Sequence, residues 1–193
     1  MKESVPFWLE NGIDKEYGGY LVCFDSKGKL MKELAVLTPE DKMIVTQTRM
    51  IWGFSALLRN GLAKRYGWEE KCKEAAKQGV DFFIDKFWDK KNTGWAWVTD
   101  RKGNVLDNGK LVYGQTFAIY ALAEYYMATG DERGIEYAEK TFDALKNMQQ
   151  TLSTAAILRT SKRTGHWKVP ELWRRPEIPG YPHAHHGSIY NSL

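Results

Sequence analysis

Histidine and cysteine are nearly missing from this chain. Of 193 residues only four are His and two are Cys, and His166, His183, His185 and His186 all lie near the C-terminus. Isolated Cys23 and Cys72 have neither the number nor the spacing of a disulfide framework or a zinc ligand set. They read as small core residues in a reducing compartment. No apolar run is long enough to cross a bilayer, and Met1-Lys2-Glu3-Ser4-Val5-Pro6-Phe7-Trp8 lacks the apolar core of a signal peptide. The expectation is a cytoplasmic chain with no membrane partner. An excess of one charge is also lacking over most of the length: residues 1–148 carry 22 Lys/Arg against 22 Asp/Glu. The net charge of +4 comes from 149–193 alone, which removes the argument for a nucleic-acid partner.

What is present is a globular composition, 43% hydrophobic and 13% aromatic, ample for a core. A pattern occurs twice: Gly19-Tyr20-Leu21-Val22-Cys23-Phe24-Asp25-Ser26-Lys27-Gly28, and Gly94-Trp95-Ala96-Trp97-Val98-Thr99-Asp100-Arg101-Lys102-Gly103. Each copy reads as a short aromatic strand closed by an Asp-x-Lys-Gly turn, and helical sequence follows each. Asp25 and Asp100 are therefore assigned to turn chemistry.

Helical periodicity predicts a short helix over 5–12. A second is predicted to start at Thr38-Pro39-Glu40-Asp41 and run to about Asn60, with Thr38 as N-cap. An amphipathic helix over 68–88 follows, then a nearly uncharged one over 111–128, expected to be buried on most sides, and a polar one from Asp131 to about Lys146. Alternation of buried and amphipathic helices suits an all-α architecture, an incomplete α/α barrel with short β-hairpins between helices. Periodicity then stops. Residues 148–193 hold four of the six prolines and every histidine, so the chain divides into a barrel portion, 1–147, and an aberrant tail, 148–193.

Three blocks resemble the N-acylglucosamine 2-epimerase and cellobiose 2-epimerase family. They are Phe7-Trp8-Leu9-Glu10-Asn11-Gly12-Ile13-Asp14-Lys15-Glu16-Tyr17-Gly18-Gly19-Tyr20, Gln47-Thr48-Arg49-Met50-Ile51-Trp52-Gly53-Phe54-Ser55, and the stretch from Tyr113-Gly114-Gln115-Thr116 through Ala128-Thr129-Gly130-Asp131. The resemblance implies an (α/α)6 barrel of about twice this length that binds an open-chain aldose and moves a proton at C2. It implies histidines as acid and base, with an arginine at the carbonyl oxygen. That chemistry demands no metal and no nucleotide cofactor. The implied partner is a small sugar of the mannose, N-acylglucosamine/mannosamine or cellobiose type.

Arg49 is the candidate catalytic residue. On an enclosed inner helix a guanidinium needs an anion or a developing oxyanion to offset its desolvation, and during proton abstraction negative charge moves to O1. A structural ion pair is the alternative. Tyr113 is the candidate substrate hydrogen-bond partner by the resemblance, and Trp52 a candidate sugar-stacking ring; ordinary packing is the alternative for both. Pro182-His183-Ala184-His185-His186 has the look of a metal site but no carboxylate or thiolate companion, so no metal is assigned. The rival functional readings are a truncated, non-catalytic barrel with at most weak sugar binding, and an α/α-toroid glycoside hydrolase, for which no inner-helix carboxylate pair stands out. The truncated chain is expected to be inactive alone.

The absent histidines have an explanation in the coding frame. If Lys146-Asn147-Met148 is encoded AAA-AAT-ATG, one added A changes the onward reading to K-K-Y-A-A-D-T-K-H-G-G-Y-F-E-N, a third Gly-Gly-Tyr turn. A second indel near Leu172 to Arg174 yields a histidine block like the family's. The alternative is a genuine Pro-rich, poorly ordered C-terminus. Resequencing the coding DNA from the Lys146 codon onward is expected to show the extra base; an unchanged A-run would confirm the Pro-rich tail instead.

Overall fold

The computed structural model describes residues 3–34 and 37–160, with side chains described through 149. In chain order the elements are α1 (Ser4–Asn11), β1 (Lys42–Met43), α2 (Ile44–Arg59), α3 (Leu62–Arg65), α4 (Glu69–Phe87), β2 (Val98–Thr99), β3 (Val105–Asp107), α5 (Val112–Thr129) and α6 (Arg133–Thr160). Helices α2 and α5 pack along one another, α4 lies on α2, and α6 lies on α5. This is a two-layer wall, with α2 and α5 inside and α1, α4 and α6 outside. It is a segment of an α/α barrel.

The inner helices run parallel and in register. Arg49 and Phe117 each lie five residues into their helix and face each other, and Trp52 and Tyr120 do the same one turn further on. A small antiparallel sheet, in the order β1-β2-β3, sets this register. Lys42 pairs with Thr99 and Met43 with Val98, and the Ile44 N–H donates to the Trp97 carbonyl at 3.0 Å. The starts of α2 and α5 are thereby tied to one platform.

The repeated sequence pattern is a repeated structure. Gly19 (φ 68°) and Gly94 (φ 75°) adopt left-handed backbone that favours glycine. At Gly19 a Cβ would also meet the Phe82 ring at 2.7 Å and Gln47 Oε1 at 2.8 Å. The aromatic residue that follows each glycine is a buried plug, Tyr20 in one copy and Trp95 in the other. Gln47 of α2 accepts from the Tyr20 N–H and donates to its carbonyl, both at 2.8 Å. Gln115 of α5 does the same for Trp95, at 2.8 and 2.9 Å. The polar tip of each plug reaches the outer layer. Tyr20 Oη donates to the Ala75 carbonyl of α4 at 2.7 Å, and Trp95 Nε1 donates to Thr141 Oγ1 of α6 at 2.7 Å. In both units a glutamine clamps a hairpin backbone that wedges a large ring between inner and outer helices.

Two sequence expectations are corrected. Helix α2 starts at Ile44 and not at Thr38, because Asp41 accepts the Thr38 N–H at 2.7 Å to close a turn. The chain then extends through Met43 (φ −100°, ψ 143°) to pair with β2. Sheet pairing outweighs the N-cap signal. Helix α6 continues to Thr160, past its expected end at about Lys146; Met148 to Thr160 contains neither Pro nor Gly to stop it. The rest of the tail, including its four histidines, lies outside the described residues.

One buried ionic cluster holds the platform together. Lys42, fully buried, directs its three ammonium hydrogens at Asp14 Oδ2 (2.9 Å), the Gly18 carbonyl (2.5 Å) and the Arg101 carbonyl (2.8 Å). Arg101 donates through Nε and Nη2 to both oxygens of Asp14, at 3.0 and 3.2 Å, and through Nη1 to Glu40 at 2.7 Å. Burial acts to raise the Asp14 carboxyl, but the hydrogen bonds from Arg101 and Lys42 outweigh it and bring the pKa down to about 2.

Removing one member leaves a buried charge unpaired, so Asp14→Ala is expected to cost about 3–5 kcal/mol in urea unfolding. The folded pKa of Asp14 lies below its unfolded value, so its contribution is complete above about pH 4 and fades as pH falls towards 2. That contribution is about 2 kcal/mol, by the linkage between pKa and stability. Urea midpoints at pH 6, 3 and 2 are expected to show this acid-dependent component in the wild type and not in Asp14→Ala.

Candidate functional site

Residues two apart on a helix point about 200° apart. With Gln47 turned outward onto its hairpin, Arg49 must therefore lie on the inner face of α2, and Phe117 follows Gln115 onto the inner face of α5 by the same rule. The guanidinium of Arg49 lies over the Phe117 ring, 5.1 Å from its centroid. Tyr113 makes a T-shaped contact with the same ring, at a centroid distance of 4.9 Å and an interplanar angle of 67°. One turn along, Trp52 stacks on Tyr120 at 5.4 Å and 19°. Arg49, Trp52 and Tyr113 thus share one wall, although they come from sequence blocks far apart.

Two expectations about this wall change. Arg49 is exposed, not enclosed, because no described element covers the inner face of α2 and α5 at this point. No carboxylate among the described residues pairs with it. Helix α5 is bare on two sides: Tyr113 and Tyr120 are exposed on the inner face, and Ile119 and Ala123 line an open groove of about 360 Å³ against Ile135, Ala138 and Phe142 of α6. The counterparts of Ile119 and Ala123 in the first unit are Ile51 and Ser55, both fully buried where α5 packs on α2. Among the described residues no further helix covers this groove.

Sequence reasoning did not select Phe117 and Tyr120. The signal was present as spacing, since Tyr113, Phe117 and Tyr120 stand at i, i+4 and i+7 and must share a face. Trp52 has one ring face covered by Tyr120, and its Nε1 is buried without a hydrogen-bond partner among the described residues. No group of three or more His, Cys, Asp or Glu among the described residues is placed to hold a metal ion, and no described helix is long and apolar enough to cross a membrane.

Comparison with known proteins decides the family. The sequence profile of the N-acylglucosamine 2-epimerase (GlcNAc 2-epimerase) family matches residues 9–175. The chain belongs to this family. It is similar to a cellobiose 2-epimerase of Bacteroides fragilis, 32% identical over 151 residues, covering 74% of this chain and 36% of the relative. Among solved structures it resembles cellobiose 2-epimerase from Spirochaeta thermophila, with a TM-score of 0.61 and 29% identity over 74% of this chain and 32% of that one. It also resembles a D-mannose isomerase, with a TM-score of 0.60 and 25% identity over 76% and 33%. The chain therefore spans about a third of the length of these relatives, and its wall of paired helices is part of an (α/α)6 barrel.

An arginine that serves the site and not the fold has a measurable signature. Arg49→Ala is expected to change unfolding free energy by no more than about 0.5 kcal/mol, as for an exposed residue without an ion pair. Gln115→Ala leaves two buried backbone groups of Trp95 unsatisfied and is expected to cost about 2 kcal/mol or more. Denaturant titration of both variants checks the contrast.

Proposed function

We propose that this chain supplies the arginine-bearing part of the site of a sugar 2-epimerase or aldose–ketose isomerase acting on an open-chain aldose. In the reaction a base removes the C2 proton. The C–H electron pair forms the C1=C2 bond, and charge collects on O1. Returning the proton to the opposite face of C2 gives the epimer; returning it to C1, while the O2 hydroxyl proton passes to O1 and C2=O forms, gives the ketose. Arg49 stabilises the oxyanion between these steps, favouring the transition state over the ground state. Tyr113 hydrogen-bonds the sugar, and the acid and base are histidines contributed from outside residues 1–147. The observation that carries the reading is a guanidinium with no ion pair among the described residues, set among the rings of Trp52, Tyr113, Phe117 and Tyr120. Names of the relatives point to cellobiose, mannose and N-acylglucosamine as the sugars to test.

The 193-residue chain is expected to exchange no C2 hydrogen of these sugars with D2O. Expressed from a coding sequence restored to the alternative frame, the protein is expected to exchange C2 hydrogen of at least one of them, and Arg49→Lys to slow that exchange by about 10²–10³-fold, the usual loss on removing an oxyanion donor. Full-rate exchange by Arg49→Lys would overturn the role of Arg49. Glycosidic hydrolysis without C2 exchange would favour the hydrolase reading.

A further inference from the structure

The two structural units are alike where they build the wall and differ where they face its interior. Both carry Gln-Thr, and both glutamines clamp the backbone of a buried ring. Two residues later one unit has Arg49 and the other Phe117, and these two side chains meet across the inner helices at 5.1 Å. At the next equivalent pair, Trp52 and Tyr120, both units keep an aromatic ring.

We propose that Phe117 is a positioning residue for Arg49, holding the guanidinium by its ring face so that the charge is placed without being neutralised. The proposal rests on the reading of Arg49 given above and adds the means by which its geometry is set. A long, exposed arginine samples many rotamers, and an oxyanion contact is effective only if the donors already stand where charge will develop. A carboxylate partner would fix the rotamer but would also occupy the N–H groups and cancel the charge. An aromatic face attracts the cation through its quadrupole. The five N–H donors lie in the guanidinium plane, and none of them donates to an acceptor among the described residues. Two observations fit this use. Arg49 has no hydrogen-bond acceptor among the described residues, and Phe117 is itself braced by a T-shaped contact with Tyr113. Tyr113 thus acts on Arg49 at one remove, through the ring it supports.

The test is nuclear magnetic resonance of the arginine Nε–Hε groups in the 193-residue chain, with the Arg49 signal assigned by its loss in Arg49→Lys. Its Hε is expected upfield, displaced by the Phe117 ring current. The displacement is expected to disappear in Phe117→Leu and to persist in Phe117→Tyr, which keeps the ring. Arg59, whose Nε donates to buried Glu124 at 2.5 Å, reports on folding in the same spectra, so loss of the Arg49 displacement with Arg59 unmoved is local. An Arg49 signal that is undisplaced, or that ignores Phe117→Leu, overturns the proposal. Adding arabinonohydroxamate, a stable planar mimic of a hexose 1,2-enediolate, to the protein expressed in the restored frame addresses the other question. If the ring-current effect is present but the hydroxamate leaves Arg49 unmoved, positioning stands and the oxyanion reading of Arg49 fails.

Discussion

The contact on which the rest of the wall depends is the buried cluster of Asp14, Lys42 and Arg101. Lys42 stands directly before α2, Arg101 lies in the turn between β2 and β3 that leads to α5, and Asp14 follows α1. One carboxylate receives both cations, so three loops distant in sequence are pinned to one point. A short sheet alone gives weak register, since β1 and β2 have two residues each. Joined to a charge cluster whose hydrogen bonds are satisfied, the same sheet starts two helices side by side. The in-register meeting of Arg49 with Phe117 and of Trp52 with Tyr120 follows from that alignment.

The repeat shows how a barrel wall separates structural from chemical duties on a single helix. A glutamine directed outward secures the hairpin that carries the buried ring, and the side chain two positions on is directed into the interior. Because the outward contacts carry the packing, the inward positions are free to differ between units without loss of fold. Arg49 and Phe117 are such a pair. Tyr20 and Trp95, the plugs, differ in size, and each is matched to its outer helix. Tyr20 rests against Gly79, where an added Cβ would stand 2.0 Å from its hydroxyl, while Trp95 stacks on Phe83 at 4.2 Å and hydrogen-bonds Thr141.

Much of this was legible in the chain before folding. The glycine-aromatic pattern marked both hairpins, apolar periodicity marked α1, α4 and α5 within a residue or two, and Asp25 and Asp100 do close turns by accepting backbone N–H groups. The beginning of α2 was misread because Thr38-Pro39-Glu40-Asp41 satisfies the local rules for a helix start. Pairing of Lys42 and Met43 with β2 is a long-range contact that no local rule contains. The exposure of Arg49 was misread for a similar reason. The apolar character of α2 and α5 describes an enclosed barrel interior, but enclosure depends on neighbouring elements that are not among the described residues.

Sequence by itself determined the helical units, their hairpins, the family, and the three residues on which the chemistry was expected to rest. Those properties are local, or are patterns of residue type, and survive being read one position at a time. Tertiary structure alone decided that Asp14, Lys42 and Arg101 share one site, that Gln47 and Gln115 perform the same task, and that Arg49 rests on an aromatic ring with no carboxylate of the described residues beside it. Each of these is a distance between side chains far apart in the chain. Such distances arise only when burial of the plugs and neutralisation of the ionic cluster bring the units into register.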